Sequence, residues 1–287
     1  MTKSIPDPKQ LPYLIKLLED ESPVVRENVL QQLLLFGCGL DRELDRQSII
    51  LSKGYKKEIH RLLTDSRRQW LRTHWQSWKD ISDDKQQLET ALTLLGQFLT
   101  NASTNIQLKE FLDQLTQEFS HTPQPHDARA LAHFLFQEKG LRGIDSESYY
   151  NVQNSSLVYT IESKRGIPIS LSCIYILVGS RIGLSIEGCN FPGHFLTTAV
   201  IDDQKVIVDC FHGGIILDDA TIKSLRLPKP ITLKDLVSLE CNTELIISRV
   251  LRNLIKAYEY LNDTENINLM TELLSSIEEE GGNEDAN

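Results

Sequence analysis

Four residues of this chain are of types that together could carry out acyl transfer: Ser170, Cys173, His194 and Asp209. A carboxylate beside an imidazole fixes the ring's tautomer and stabilises the imidazolium. The imidazole can in turn take the proton of a hydroxyl or thiol. A nucleophile at a helix N-terminus gains from the helix dipole and from the unpaired N–H groups there. A nucleophile on a helix, a His on a strand and an Asp on the next strand suit a Ser- or Cys-dependent hydrolase or acyl-transferase. Ser170 and Cys173 both stand as nucleophile candidates, because residues three apart share roughly one helix face. Each also has a plainer reading. Ser is among the best helix N-caps, and a Cys in an apolar helix behaves as a small buried hydrophobe.

The surrounding pattern supplies elements to position these groups. Gly166-Ile-Pro-Ile-Ser opens a helix that runs to about Arg181, with Gly183 just past its end. Residues 184–189, the run that starts at His194, and residues 205–209 read as strands. If Asp202-Asp203 is the hairpin loop, Ile201 faces Gln204 and His194 falls opposite Phe211. Asp209 is two residues from that position and shares its face, so His194 and Asp209 become diagonal neighbours. An odd-length loop would put them on opposite faces. His212 reads as a loop histidine and Cys189 as packing. Gly193, Gly213 and Gly214 allow tight backbone near the pocket. Asn151, Asn154 and Arg165 line or brace the cleft, or equally make loop hydrogen bonds that cap the next helix.

Helices flank this core on both sides. Residues 11–18 have helical apolar spacing. Ser22 and Pro23 start a second helix that continues to Phe36, where Gly37 can end it. The string Asp-Glu-Ser-Pro-Val-Val-Arg resembles the turn of a HEAT-type helical hairpin, though without a second copy. Residues 53–79 hold eight bases, two acids and all three tryptophans. Such a stretch suits either a nucleic-acid surface with stacking aromatics or an amphipathic helix pair with buried Trp. The acidic balance of the whole chain favours the second. Helices follow at about 84–99, 105–119 and 126–138, then a polar loop at 141–156. After a linker carrying Pro228 and Pro230, a helical hairpin closes the chain at about 243–261 and 265–279, turning at Asn262-Asp263. The class is α+β: helical, then mixed, then helical.

Composition bounds the alternatives. The 287 residues are 40% hydrophobic and 24% charged, which excludes a wholly disordered chain, a collagen and a coiled-coil rod. The net charge is −10, and residues 272–287 contribute six acids and no base, as a solvated acidic tail would. No secretory signal or spanning segment is expected. The five cysteines form no CxxC pair, so no metal site, disulfide framework or cofactor is called for, and reduced thiols in a cytoplasm fit best.

The strings Leu135-Phe-Gln-Glu-Lys-Gly-Leu-Arg-Gly, Asn154-Ser-Ser-Leu, Arg165-Gly-Ile-Pro-Ile-Ser-Leu-Ser, Arg181-Ile-Gly-Leu, Phe191-Pro-Gly-His-Phe-Leu and Asp209-Cys-Phe-His-Gly-Gly stand in this order along the chain. Together they resemble the SirB-type bacterial transglutaminase-like proteins. The resemblance covers about 82–280 and implies a papain-like core over 82–227. It also implies a tetratricopeptide-like helical pair over 228–280, leaving a helical region at 1–80 and an acidic tail at 281–287. Active members of that wider superfamily open the helix with a Cys nucleophile. Here that position falls near Ile169–Ser170 and holds no Cys. The family's Asp-Pro-Phe reads Asp209-Cys210-Phe211 here, with the Asp retained. The resemblance therefore implies a binding or regulatory module with a His194–Asp209 pair and a protein or peptide partner. The alternative is an active enzyme that uses Ser170 or Cys173.

Overall fold

The computed structural model describes residues 7–34, 36, 40–47, 49, 51, 53–100, 107–191, 193–218, 235 and 241–284. The chain divides into two units, the first ending at His74 and the second beginning at Trp75.

The first unit is helical. Its helices are α1 (Leu11–Leu17), α2 (Pro23–Leu34), α3 (Leu40–Arg46) and α4 (Lys53–His74). Leu11, Leu18, Val29, Leu33, Leu40, Leu44 and Leu63 form its core. The Tyr55 hydroxyl ties α4 to the end of α1 by donating to the Leu18 carbonyl at 2.7 Å. Gly37, the expected helix end, lies outside the described residues, as do Pro228 and Pro230 of the linker.

In the second unit a 3₁₀ turn, Trp75–Trp78, leads into α5 (Asp84–Thr100), α6 (Gln107–Ser120) and α7 (Ala128–His133). Trp75 and Trp78 are fully buried and pack edge to face, so these two indoles serve the core. Asp127 caps α7 by accepting from the Ala130 amide. The helical run expected to reach Glu138 ends instead in a π turn over Phe134–Glu138.

Residues 141–156 are not simply a loop. They contain β1 (Arg142–Gly143) and two 3₁₀ turns, Ser146–Ser148 and Val152–Ser155. Strand β1 pairs in parallel with β2 (Arg165–Gly166), which follows the short helix α8 (Leu157–Ser163).

Helix α9 (Pro168–Arg181) is the centre of the unit. Every residue from Pro168 to Gly179 is buried, as expected for a helix apolar on all faces. It packs against α5, α6, α7 and α8 and against the strands β3 (Ile186–Cys189) and β4 (Leu196–Ile201). With β5 (Gln204–Asp209) and β6 (Ile215–Leu217), these make an antiparallel sheet in the order β3-β4-β5-β6.

The β4–β5 hairpin has the expected register, with Ile201 opposite Gln204. Asp202 and Asp203 both take positive φ, 51° and 60°, the conformation of a two-residue type I′ turn whose twist matches that of the strands. One expectation shifts. His194 precedes β4 rather than starting it, since the ladder begins two residues later.

The chain closes with α10 (Thr243–Leu261) and α11 (Thr264–Glu284), which pack on each other. Asn242 caps α10, and Asn262 ends it in the left-handed conformation. Helix α10 also packs on α5. Helix α11 runs on to Glu284, past the expected end near 279 and into the segment expected as a tail. Helices around an antiparallel sheet make this an α+β fold. No described helix is long and apolar enough to cross a membrane.

Candidate functional site

The hairpin brings His194 and Asp209 together. Asp209 ends β5 and is 5% exposed. His194 sits in the turn before β4, its backbone N–H donating to the Phe191 carbonyl at 3.2 Å, with Gly193 beside it at φ 80°. His194 Nε2 lies 3.0 Å from Asp209 Oδ1. That nitrogen is buried and has no aligned hydrogen bond, so the contact is electrostatic, with the N–H directed off the oxygen.

A third side chain joins the pair. His212 Nδ1 donates to Asp209 Oδ2 at 2.7 Å. The amides of Phe211 and His212 donate to Oδ1 at 3.0 and 3.2 Å. The carboxylate thus receives the turn that follows it, in the manner of an Asx turn. Burial alone would raise the Asp209 carboxyl, but the neighbouring His194 and His212 outweigh it and hold the group below its ordinary value. His212 is therefore more than a loop histidine. The signal was an Asp followed two and three residues later by amides free to turn back onto it.

Glycines shape the same turn. Gly213 and Gly214 both have positive φ, and a Cβ on Gly214 would stand 2.4 Å from Phe136 Cδ2. A Cβ on Gly143 would meet the Phe211 ring at 2.7 Å, so that ring lies directly on the β1 backbone. A surface cavity of about 750 Å³ opens here, lined by Arg142, Lys164, Phe211, His212 and Gly213 among others.

The nucleophile candidates do not join the cluster by hydrogen bonding. Ser170 is buried, and its Oγ donates to the Asn154 carbonyl at 2.6 Å. It is not the helix cap: Ile167 occupies that position, with Pro168 at the first helical turn. Cys173 is fully buried, and burial pushes its thiol far above the ordinary value. Among the described residues, no hydrogen bond links either side chain to His194.

Asn154 braces the neighbouring turn. Its Nδ2 donates to the Ser148 and Tyr149 carbonyls at 2.8 and 3.0 Å, while its Oδ1 is buried without a partner. Asn151 caps the 3₁₀ turn after it. Arg165 contributes its backbone to β2, opposite Arg142. Cys189, Cys210 and Cys241 are buried like Cys173, which fits the packing role expected of Cys189.

The description of the transglutaminase-like superfamily matches residues 102–252, just over half of the chain. The chain belongs to the transglutaminase-like superfamily. Among its relatives, a UPF0162 protein of Xylella fastidiosa strain 9a5c is 29% identical over 66% of this chain and 70% of its own length. A UPF0162 protein of strain Temecula1 is 36% identical over 42% of this chain and 41% of its own. Mouse F-box only protein 21 is 30% identical over 29% of this chain and 13% of its own. No solved structure matches. Within the matched residues His194 and Asp209 meet, while the first turn of α9 holds Ser170 and no cysteine.

Proposed function

We propose that this transglutaminase-like domain is a binding or regulatory module of the SirB type, in which the imidazole–carboxylate cluster persists without a working nucleophile. The observation that carries this reading is the fate of Ser170. Its hydroxyl proton is committed to the Asn154 carbonyl inside the core. A base at His194 therefore has no accepting path to it without first breaking a buried hydrogen bond. Cys173 is no substitute, since the thiolate is the nucleophilic form and burial disfavours it. The tetratricopeptide-like pair α10–α11 and the HEAT-like helices of the first unit then serve as surfaces for a protein or peptide partner in the cytoplasm.

The test is an assay of the purified full chain against chromogenic esters and peptide amides. The expected result is no turnover above that of the His194→Ala variant. Turnover that disappears in His194→Ala would overturn the module reading in favour of a Ser- or Cys-dependent hydrolase or acyl-transferase, and its loss in Ser170→Ala or Cys173→Ala would name the nucleophile.

A further inference from the structure

We propose that His194, Asp209 and His212 form a binding site for a divalent transition-metal ion of the zinc class. One ligand atom from each of the three lies within 4.8 Å of the others. Bonds of about 2.1 Å in a tetrahedral site would place those atoms roughly 3.4 Å apart, so the carboxylate contacts at 2.7 and 3.0 Å must open by a few tenths of an ångström and the set must adjust around the ion. His212 can supply that movement, because it stands on a surface turn with its side chain 61% exposed. Two imidazoles with one carboxylate suit zinc and its neighbours and leave a coordination position open.

Two features support this reading over a simple charge cluster. First, His194 Nε2 is buried 3.0 Å from the carboxylate yet not aligned with it, so this nitrogen lacks the hydrogen bond that a purely structural pair would make. Second, the carboxylate is already supported from behind. The Phe211 and His212 amides hold Oδ1, which also faces His194, and Oδ2 meets the His212 ring. Metal-binding carboxylates rely on outer hydrogen bonds of this kind. To bind, the two rings must present unprotonated nitrogens to the metal, His194 Nε2 and His212 Nδ1, so the His212–Oδ2 hydrogen bond gives way to metal bonds.

This inference deepens the binding-module reading by naming a ligand for the same site. The test is calorimetric titration of Zn²⁺ into the reduced full chain, repeated with Co²⁺ by absorption spectroscopy. One equivalent is expected, with affinity falling at least about tenfold in both His212→Ala and His194→Ala. The cobalt spectrum should lack a thiolate charge-transfer band. His212→Ala removes an exposed side chain and so separates ligand loss from fold loss, with circular dichroism checking both variants. Absence of saturable binding, binding unchanged in His212→Ala, or a thiolate band would overturn the metal site. The two readings fail separately, because turnover that depends on His194 sinks the module reading whatever zinc does.

Discussion

His212 holds Asp209 twice: its ring Nδ1 donates to Oδ2 at 2.7 Å, and its own backbone amide donates to Oδ1 at 3.2 Å. One residue thus engages both oxygens of a buried carboxylate that also faces His194. The turn and the site are therefore one construction, and damage to the carboxylate damages both.

Asp209→Ala should cost about 1–3 kcal/mol, because it removes the buried acceptor of two backbone amides in a partly exposed turn. His212→Ala should cost less than about 1 kcal/mol, since its exposed ring is screened by solvent. Urea denaturation of the two variants checks this. Equal losses would show that the amides contribute little and the ring most.

Glycine substitutions separate strain from collision. Gly183 takes φ 75° with open space around its Cβ position, so Gly183→Ala should lose about 1 kcal/mol from backbone strain alone. Gly214 takes φ 72° and would also drive a methyl into Phe136, so Gly214→Ala should lose more, about 2–4 kcal/mol. Thermal melting of both proteins gives the comparison. A Gly214→Ala variant as stable as Gly183→Ala would mean that the ring moves aside freely.

Thiol titration reads burial directly. Burial pushes Cys189 up to about 11 and Cys210 and Cys241 up to about 12, and Cys173 higher still. A disulfide reagent at neutral pH should therefore consume no more than one of the five thiols quickly, and all five in guanidinium. Rapid reaction of two or more in the native protein would contradict this core.

Arg181, at the end of α9, clamps two helices. Its Nη2 donates to both carboxylate oxygens of Glu89 at 2.8 and 2.7 Å, and its Nε donates to Asp113 at 2.9 Å. A lysine cannot reproduce that fork, so Arg181→Lys should lose about 1–2 kcal/mol. The Asp113 carboxyl is held below its ordinary value, first by the hydrogen bond from Lys109; burial opposes this, and Arg181 adds a further lowering. A depressed folded value means that its contribution is present above the unfolded pKa, near 3.8, and fades as pH falls through the folded one. The stability gap between Arg181→Lys and the native chain should accordingly narrow in acid. Urea midpoints at neutral pH and at pH near 3 measure it, and a gap that widens in acid would contradict the assignment.

Much of the site was legible from local pattern. The two-residue loop at Asp202-Asp203 determined which strand positions face each other, and with them the meeting of His194 and Asp209. Helix α9 announced itself by Pro168 at its start and the apolar run Cys173–Val178. Less legible was His212. Its ring direction depends on the backbone turn at 211–214, where two adjacent glycines make many conformations accessible. The π turn at Phe134–Glu138 was equally hidden, because an apolar helical period continues through it.

By itself, then, the sequence determined the α+β class and the helix that opens at Gly166-Ile-Pro-Ile-Ser, and, given a two-residue loop at Asp202-Asp203, the hairpin register and the His–Asp pair. These follow from periodicity and turn chemistry within a few neighbouring residues, with the family resemblance supporting the pair. The tertiary structure alone decided what Ser170 does. Its partner is a backbone carbonyl sixteen residues earlier in the chain, on a separate turn. A hydroxyl can serve as nucleophile, cap or brace with equal local plausibility. Which role it takes depends on the acceptor that packing brings within 3 Å, and packing is a property of the whole fold.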